Sequence, residues 1–100
     1  MIRHIVLFSL KEGVAADDPR VAEAVEASRA LDRSVPHVGS WMIEPNITVR
    51  DIAADFAAIG DFADADALQA FIQHPDHVAA GRRWAELATW AIADFHVPAT

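Results

Sequence analysis

From Ile2 to Leu10, the residues His4, Val6 and Phe8 alternate with Arg3, Ile5, Leu7 and Ser9, and both sets are mostly apolar. A period of two predicts a β-strand, and apolar residues on both faces predict cover on each side. After the polar stretch from Lys11 to Asp18 the pattern changes. Val21, Ala24, Val25, Ser28 and Leu31 follow the 3.6-residue period of a helix. Asp18 ahead of Pro19 supplies an N-cap and a first helical residue, so this helix is predicted over Pro19 to about Arg33. Pro36 and Gly39 interrupt it. Ser40 to Glu44 suits a second strand, Pro45 to Asp51 a loop, and Asp55 to Phe62 a third strand. Asp64 then caps a short helix whose Leu68, Phe71 and Ile72 form one apolar patch.

The segment His74-Pro75-Asp76-His77 sets the next boundary. Pro75 disfavours helical geometry at His74 and suits the first position of a new helix. One helix is therefore predicted to end near Gln73 and another to run from Pro75 to about Thr89. On its helical wheel His77 falls with Ala80, Gly81, Trp84, Leu87 and Ala88, opposite Arg82, Arg83, Glu86 and Thr89. Trp90 to Val97 reads as a last strand. Strand, helix, two strands, two helices and a strand make an α+β domain with a mostly antiparallel sheet. The helices cover one sheet face. The other carries Ile5, Leu7, Ala57, Ile59, Ala91, Ala93, Phe95 and Val97, which is much apolar surface for a monomer to expose. A second copy covering it, sheet against sheet, is the expected solution.

Composition narrows the partners. The 100 residues carry 53% hydrophobic and 23% charged side chains, as expected of one folded domain rather than a disordered chain. The net charge of −7, with 8 Lys+Arg and no basic run, lacks the footprint of a nucleic-acid or acidic-membrane partner. With 0 Cys there is no disulfide framework or thiolate chemistry. The apolar run from Ile5 to Phe8 is too short for a secretory signal or a membrane span, which leaves the cytoplasm as the expected location. With 4 Gly, no phosphate loop, serine elbow or dinucleotide fingerprint is present.

The candidate chemistry centres on His77. A histidine in a helix's first turn feels the positive end of the helix dipole, which favours the neutral imidazole, while Asp76 pulls the other way. A neutral inward histidine can serve as a general base; the alternative is a core histidine bonded to backbone. Asp94 shares its strand face with Trp90, Ile92 and His96 in an otherwise apolar run, where a carboxylate is costly unless paired or near water. Pairing with His77 would orient that ring; pairing with Arg3 or contact with water is the alternative. His4 points to the same interior as Val6 and Phe8. With His74, His77 and Asp94 it also permits a divalent metal, although Pro75 makes His74 an N-cap residue. His37 and His96 sit at element edges. Trp41, Trp84 and Trp90 suit either a core or an aromatic pocket.

The run His4-Ile5-Val6-Leu7-Phe8, then Asp55-Phe56-Ala57 leading to Asp61-Phe62, Asp66-Ala67-Leu68 with Phe71 ahead of His74-Pro75-Asp76-His77-Val78, and the closing Asp94-Phe95 resemble the stress-responsive dimeric α/β-barrel (Dabb) family. The resemblance covers the chain essentially end to end. It implies a single Dabb domain over residues 1–100, ferredoxin-like, with βαββααβ order and an antiparallel four-stranded sheet. That sheet would pair with the sheet of a second subunit to form a dimeric α/β barrel. Family members include stress-linked proteins of no assigned activity, proteins with antimicrobial behaviour, and polyketide cyclases of the olivetolic-acid type. Those cyclases fold a poly-β-keto chain by intramolecular aldol chemistry without a cofactor. In them the histidine matching His77 acts as base, the aspartate matching Asp94 supports it, and the histidine matching His4 lies in the pocket. This chain departs from them twice: Phe71 stands where they place a tyrosine hydroxyl donor, and Phe56 where they place another pocket histidine.

The expectation is therefore a homodimer that binds a small apolar or aromatic, ketide-like molecule between sheet and helices. His77 and Asp94 are the expected catalytic pair, and His4, Val6, Phe8, Phe56, Phe71 and Trp84 the expected binding residues. The chemistry would be cofactor-free cyclisation or isomerisation, with no metal. A non-catalytic stress-responsive binding protein is the alternative, and a cofactor-free monooxygenase of the related dimeric barrels a further one.

Overall fold

Strand β1 (Ile2–Leu10) lies inside the sheet and pairs on both sides, with β3 (Phe56–Phe62) and β4 (Ala88–His96). β2 (Trp41–Pro45) adds to the far side of β3, giving the order β2-β3-β1-β4 with every pair antiparallel. This is a ferredoxin-like α+β fold. The computed structural model describes residues 1–98, so the last two positions of the expected 1–100 domain lie outside the described residues. Among the described residues no helix is long and apolar enough to cross a membrane.

The helices are α1 (Pro19–Arg29), α2 (Leu31–Ser34), α3 (Ala65–Gln73) and α4 (Pro75–Ala85). Their starts follow the capping chemistry of the sequence. The Asp18 carboxylate accepts from the Arg20 N–H, and the Asp64 carboxylate from the Ala67 N–H. The His74 ring Nδ1 accepts from the Asp76 N–H at 3.1 Å.

Two helices end earlier than their periodicity predicts. The helix expected to run from Pro19 to Arg33 stops at Arg29, and α2 follows after Ala30. The Ser28 carbonyl at this break accepts the Trp41 indole N–H at 2.8 Å, and the turn carries Leu31 and Val35 into the core. The last helix, expected to reach Thr89, stops at Ala85. The Lys11 ammonium donates to the Ala85 carbonyl, and the Lys11 N–H to the Leu87 carbonyl. Leu87 and Ala88 stay buried, but from a turn and the start of β4 rather than from a helix. An apolar period does not distinguish these placements.

The inner sheet face packs two apolar clusters. One joins Val6, Phe8, Ile43 and Ala58 to Val21, Ala24, Trp84 and Leu87; the other joins Ile2 and Phe62 to Leu31, Leu68, Phe71 and Ala80. The buried polar side chains among the described residues are His4 and Ser28. Ser28 ties the layers together. Its hydroxyl donates to the Ala24 carbonyl at 2.8 Å and accepts the Trp84 indole N–H at 2.9 Å. Removing it leaves a buried indole N–H without a partner, so Ser28→Ala is expected to cost about 1–3 kcal/mol of stability. Urea unfolding would measure this, and an unchanged midpoint would show that Trp84 has found another acceptor.

Candidate active site

Strand register builds the site. In an antiparallel pair, directly opposed residues stand on the same face with Cβ atoms about 4.5–5.5 Å apart. β1 and β4 are paired so that His4 faces Asp94, Val6 faces Ile92 and Phe8 faces Trp90. On the other side of β1, His4 lies opposite Gly60, which in turn lies opposite Trp41. One row thus crosses the sheet from Trp41 through Gly60 and His4 to Asp94. Gly60 is required there, because a Cβ would stand 2.7 Å from the Trp41 ring.

The expected pairing of His77 with Asp94 is therefore corrected. The Asp94 carboxylate lies 2.5 Å from His4 Nδ1. The register sets these two side chains face to face, whereas His77 stands on α4, above the sheet. The bond directs the Nδ1 proton of His4 to the carboxylate and leaves Nε2 for other work. Asp94 does not pair with Arg3, which sits on the opposite sheet face. There Arg3 makes two bonds, of 2.8 and 3.1 Å, to its cross-strand neighbour Asp61. Ser40 also donates to Asp61, and these partners hold its carboxyl below the usual aspartate range.

His77, His4 and Asp94 nevertheless line one cavity of about 160 Å³ between α4 and the inner faces of β1 and β4. Val6, Phe8 and Trp84 line it as expected. Phe56 and Phe71 do not belong to its walls. Phe56 packs on Trp84, with ring centroids 5.5 Å apart, and borders a separate groove beneath the β2–β3 connection. Phe71 is wholly buried behind the site, 4.7 Å from the His77 ring and 6.2 Å from the His4 ring. It backs both imidazoles without reaching the space between them.

Sequence reasoning missed several wall residues. Ile92 occupies the same face of β4 as Asp94 and as Trp90, which with Trp41 suited either a core or an aromatic pocket and lines this one. The alternation is visible in the sequence, but the register that brings them to the cavity is not. Gly81 and Ala80 share the helical stripe of His77. Ser28 shares the inward helical stripe of Val21, Ala24 and Leu31, which gives its interior position but not its place in the wall. Buried wall residues lie on β1, β3, α1, α2 and α4, while Trp90, Ile92 and Asp94 on β4 remain exposed. The cavity accordingly reaches water along β4, whose outer edge is unpaired.

Burial is the main influence on His77 and lowers its pKa from the ordinary histidine value. The nearby His4, which disfavours a second positive charge, acts in the same direction, and the Ile72 backbone partly opposes both. The site thus holds a neutral imidazole beside one bonded to a carboxylate. A metal reading finds no support in the geometry. His74 spends its Nδ1 on the helix start, and among the described residues no group of three or more His, Asp or Glu side chains could hold an ion.

Residues 2–97 match the family described as Stress responsive A/B Barrel Domain. An uncharacterized protein of Streptomyces coelicolor is 48% identical over 95 residues, covering 95% of this chain and 98% of its own length. A dimeric ferredoxin-like protein of unknown function from Bacteroides fragilis superposes with a TM-score of 0.85 at 26% identity, covering 96% of this chain and 95% of that one. A Dabb family protein from Mesorhizobium loti gives 0.78 at 30% identity, covering 99% and 97%. The fold is also similar to that of a hydroxynitrile lyase from Passiflora edulis, at TM-score 0.83 and 13% identity over 99% of this chain and 94% of the other. A cofactor-independent oxygenase from Streptomyces nogalater gives 0.74 at 16% identity, again over 99% and 94%. At such identity the likeness is one of fold alone.

The state of His77 has a measurable consequence. Its folded pKa lies below the unfolded value of about 6.5. Between the two the unfolded chain binds more protons, so stability falls as pH drops through that window. Urea unfolding is expected to show this acid-side loss starting near pH 6.5, and His77→Gln is expected to reduce it. An unchanged acid slope in His77→Gln would mean that the ring titrates as it does in the unfolded chain.

Proposed function

Because this chain belongs to the stress-responsive A/B barrel (Dabb) family, we propose that it binds a small apolar or aromatic, ketide-like molecule in the cavity and moves a proton next to its carbonyl. The observation that carries this reading is a pair of histidines of unlike surroundings on the wall of one mainly apolar space. Neutral His77 takes the proton from the carbon beside the carbonyl. His4, oriented by Asp94, is the polar group that meets the oxygen on which the enolate forms. Return of the proton, or attack of the enolate on a second carbonyl, gives isomerisation or cyclisation. None of these steps calls on a cofactor. One positioned base supplies about 10²–10⁴-fold, which suits a substrate that is already acidic at carbon.

Phe71 favours a second reading. It has no hydroxyl, and it packs against both rings, so His4 with Asp94 can also be explained as a cross-strand pair that satisfies a buried imidazole. A non-catalytic binding protein would keep the cavity and show no turnover.

The assembly proposed is a homodimer joined through the outer sheet face. Leu7, Met42 and Phe95 on that face are 44%, 56% and 44% exposed, and Ile47, Val49 and Ile52 in the β2–β3 connection are almost fully so. Similar structures are dimeric.

Enolisation of benzoylacetone, followed by its ultraviolet absorbance, tests the chemistry. The wild type is expected to accelerate it, with His77→Ala losing about 10²-fold or more and Asp94→Asn a smaller factor. No acceleration by folded wild type would leave the binding reading. Sedimentation tests the assembly. A dimer at micromolar concentration is expected, burying at least about 1,200 Å² in total, and Leu7→Asp with Phe95→Asp should shift it to monomer. A wild type that sediments as a monomer would remove the barrel.

A further inference from the structure

Three of the four glycines have a conformational or steric reason to be glycine. Gly13 has φ of 86°, a Cβ on Gly39 would stand 2.8 Å from the Asp61 carbonyl oxygen, and Gly60 lies under Trp41. Gly81 has none of these. It sits inside α4, where glycine is the poorest helix former after proline, and a Cβ there would meet nothing within 4 Å. Gly81 follows His77 by four residues, one turn along the same helix face, and it lines the cavity with Ala80 and Trp84. The missing side chain therefore leaves room beside His77 that the packing of the fold does not demand.

The other walls describe what would use that room. Phe8 and Trp84 stack with centroids 4.2 Å apart, and Trp90 meets Phe8 edge-on at 5.7 Å. These offer flat aromatic surfaces. Polar groups come from His4, His77 and Asp94, while the Ser28 hydroxyl already donates and accepts within the protein. The volume of about 160 Å³ is close to that of an engineered core cavity of about 150 Å³ that takes up benzene.

Resting on the reading of the cavity as a ligand site, we infer that Gly81 sets its width, and that it accepts a ligand of one planar ring bearing a carbonyl at the histidine end. The carbonyl meets His77 and His4, and the ring lies along Gly81 toward Trp84. A methyl group at position 81 narrows this slot, and a branched side chain fills it.

The test uses acetophenone and its two-ring counterpart 2-acetonaphthone. Calorimetry gives the dissociation constants, and the Trp84 indole N–H resonance reports occupancy of the cavity. Wild type is expected to bind acetophenone about tenfold more tightly than 2-acetonaphthone, a difference of about 1.4 kcal/mol. Gly81→Ala is expected to weaken acetophenone several-fold while raising Tm by about 4 °C, since alanine favours the helix. Gly81→Leu should abolish binding; if that variant fails to fold, the alanine variant decides. Acetophenone affinity within about twofold of wild type in Gly81→Ala and any folded Gly81→Leu would overturn the role of Gly81 and leave the cavity as a ligand site. Preference for the two-ring ketone would overturn the ring size. Wild type that binds neither ketone at millimolar concentration, with no shift at Trp84, would overturn both this role and the reading beneath it.

Discussion

The pairing of β1 with β4 is the constraint from which the site follows. β1 is hydrogen-bonded on both sides, so its side chains alternate strictly between the helix-covered face and the outer face. His4 lies opposite Asp94 on the covered face, and Arg3 lies opposite Asp61 on the other. Two side-chain pairs of different purpose thus arise from adjacent residues, an ion pair at Arg3 and a hydrogen bond at His4. The pair on the outer face joins two strands beside the apolar surface. The pair on the inner face brings a carboxylate to a buried imidazole, which would otherwise lose its hydration without return. A one-residue slip would exchange the two faces and destroy both.

Around that pair the interior is divided. The two apolar clusters meet where His4 and Ser28 are buried, and the cavity lies between α4 and the sheet at the same place. Large aromatic rings form much of its wall, and the indole N–H groups of two of them are already engaged. Trp41 and Trp84 both donate to Ser28, one to its carbonyl and one to its hydroxyl. The walls are therefore anchored by hydrogen bonds as well as by packing. A space bounded this way is better suited to a rigid flat molecule than to a flexible chain, since the walls cannot collapse cheaply around a smaller guest.

Phe71 sets one limit on the chemistry open to the site. Phenylalanine at this position is wholly buried against His4, His77, Trp41 and Phe62. The ring supports the imidazoles and contributes no proton. Acid–base work at this site would therefore rest on the histidines alone, and the surroundings of the two differ enough to divide it between them. Burial disfavours charge on His77, while the carboxylate at His4 accepts a hydrogen bond.

Much of this was legible in the chain because it depends on local periodicity and capping. The bounds of β1, the caps at Asp18, Asp64 and His74, the inward stripe of His77 and the apolar outer sheet face all follow from side-chain alternation and short-range hydrogen bonding. The ferredoxin-like order followed from the elements and from the family resemblance. Tertiary structure alone decided the rest. Alternation placed Asp94 on the inner face but could not say which residue it opposed, because parity is local and register depends on strands far apart in sequence. It therefore fell to the fold to give Asp94 to His4 rather than His77. The early ends of α1 and α4 depend on Trp41 and Lys11 reaching carbonyls on distant segments. Phe56 and Phe71 lie outside the cavity because a strand or helix face specifies burial, and burial is shared by core and pocket alike. Which apolar residues border an empty space is a property of how the layers meet, and no single segment carries that information.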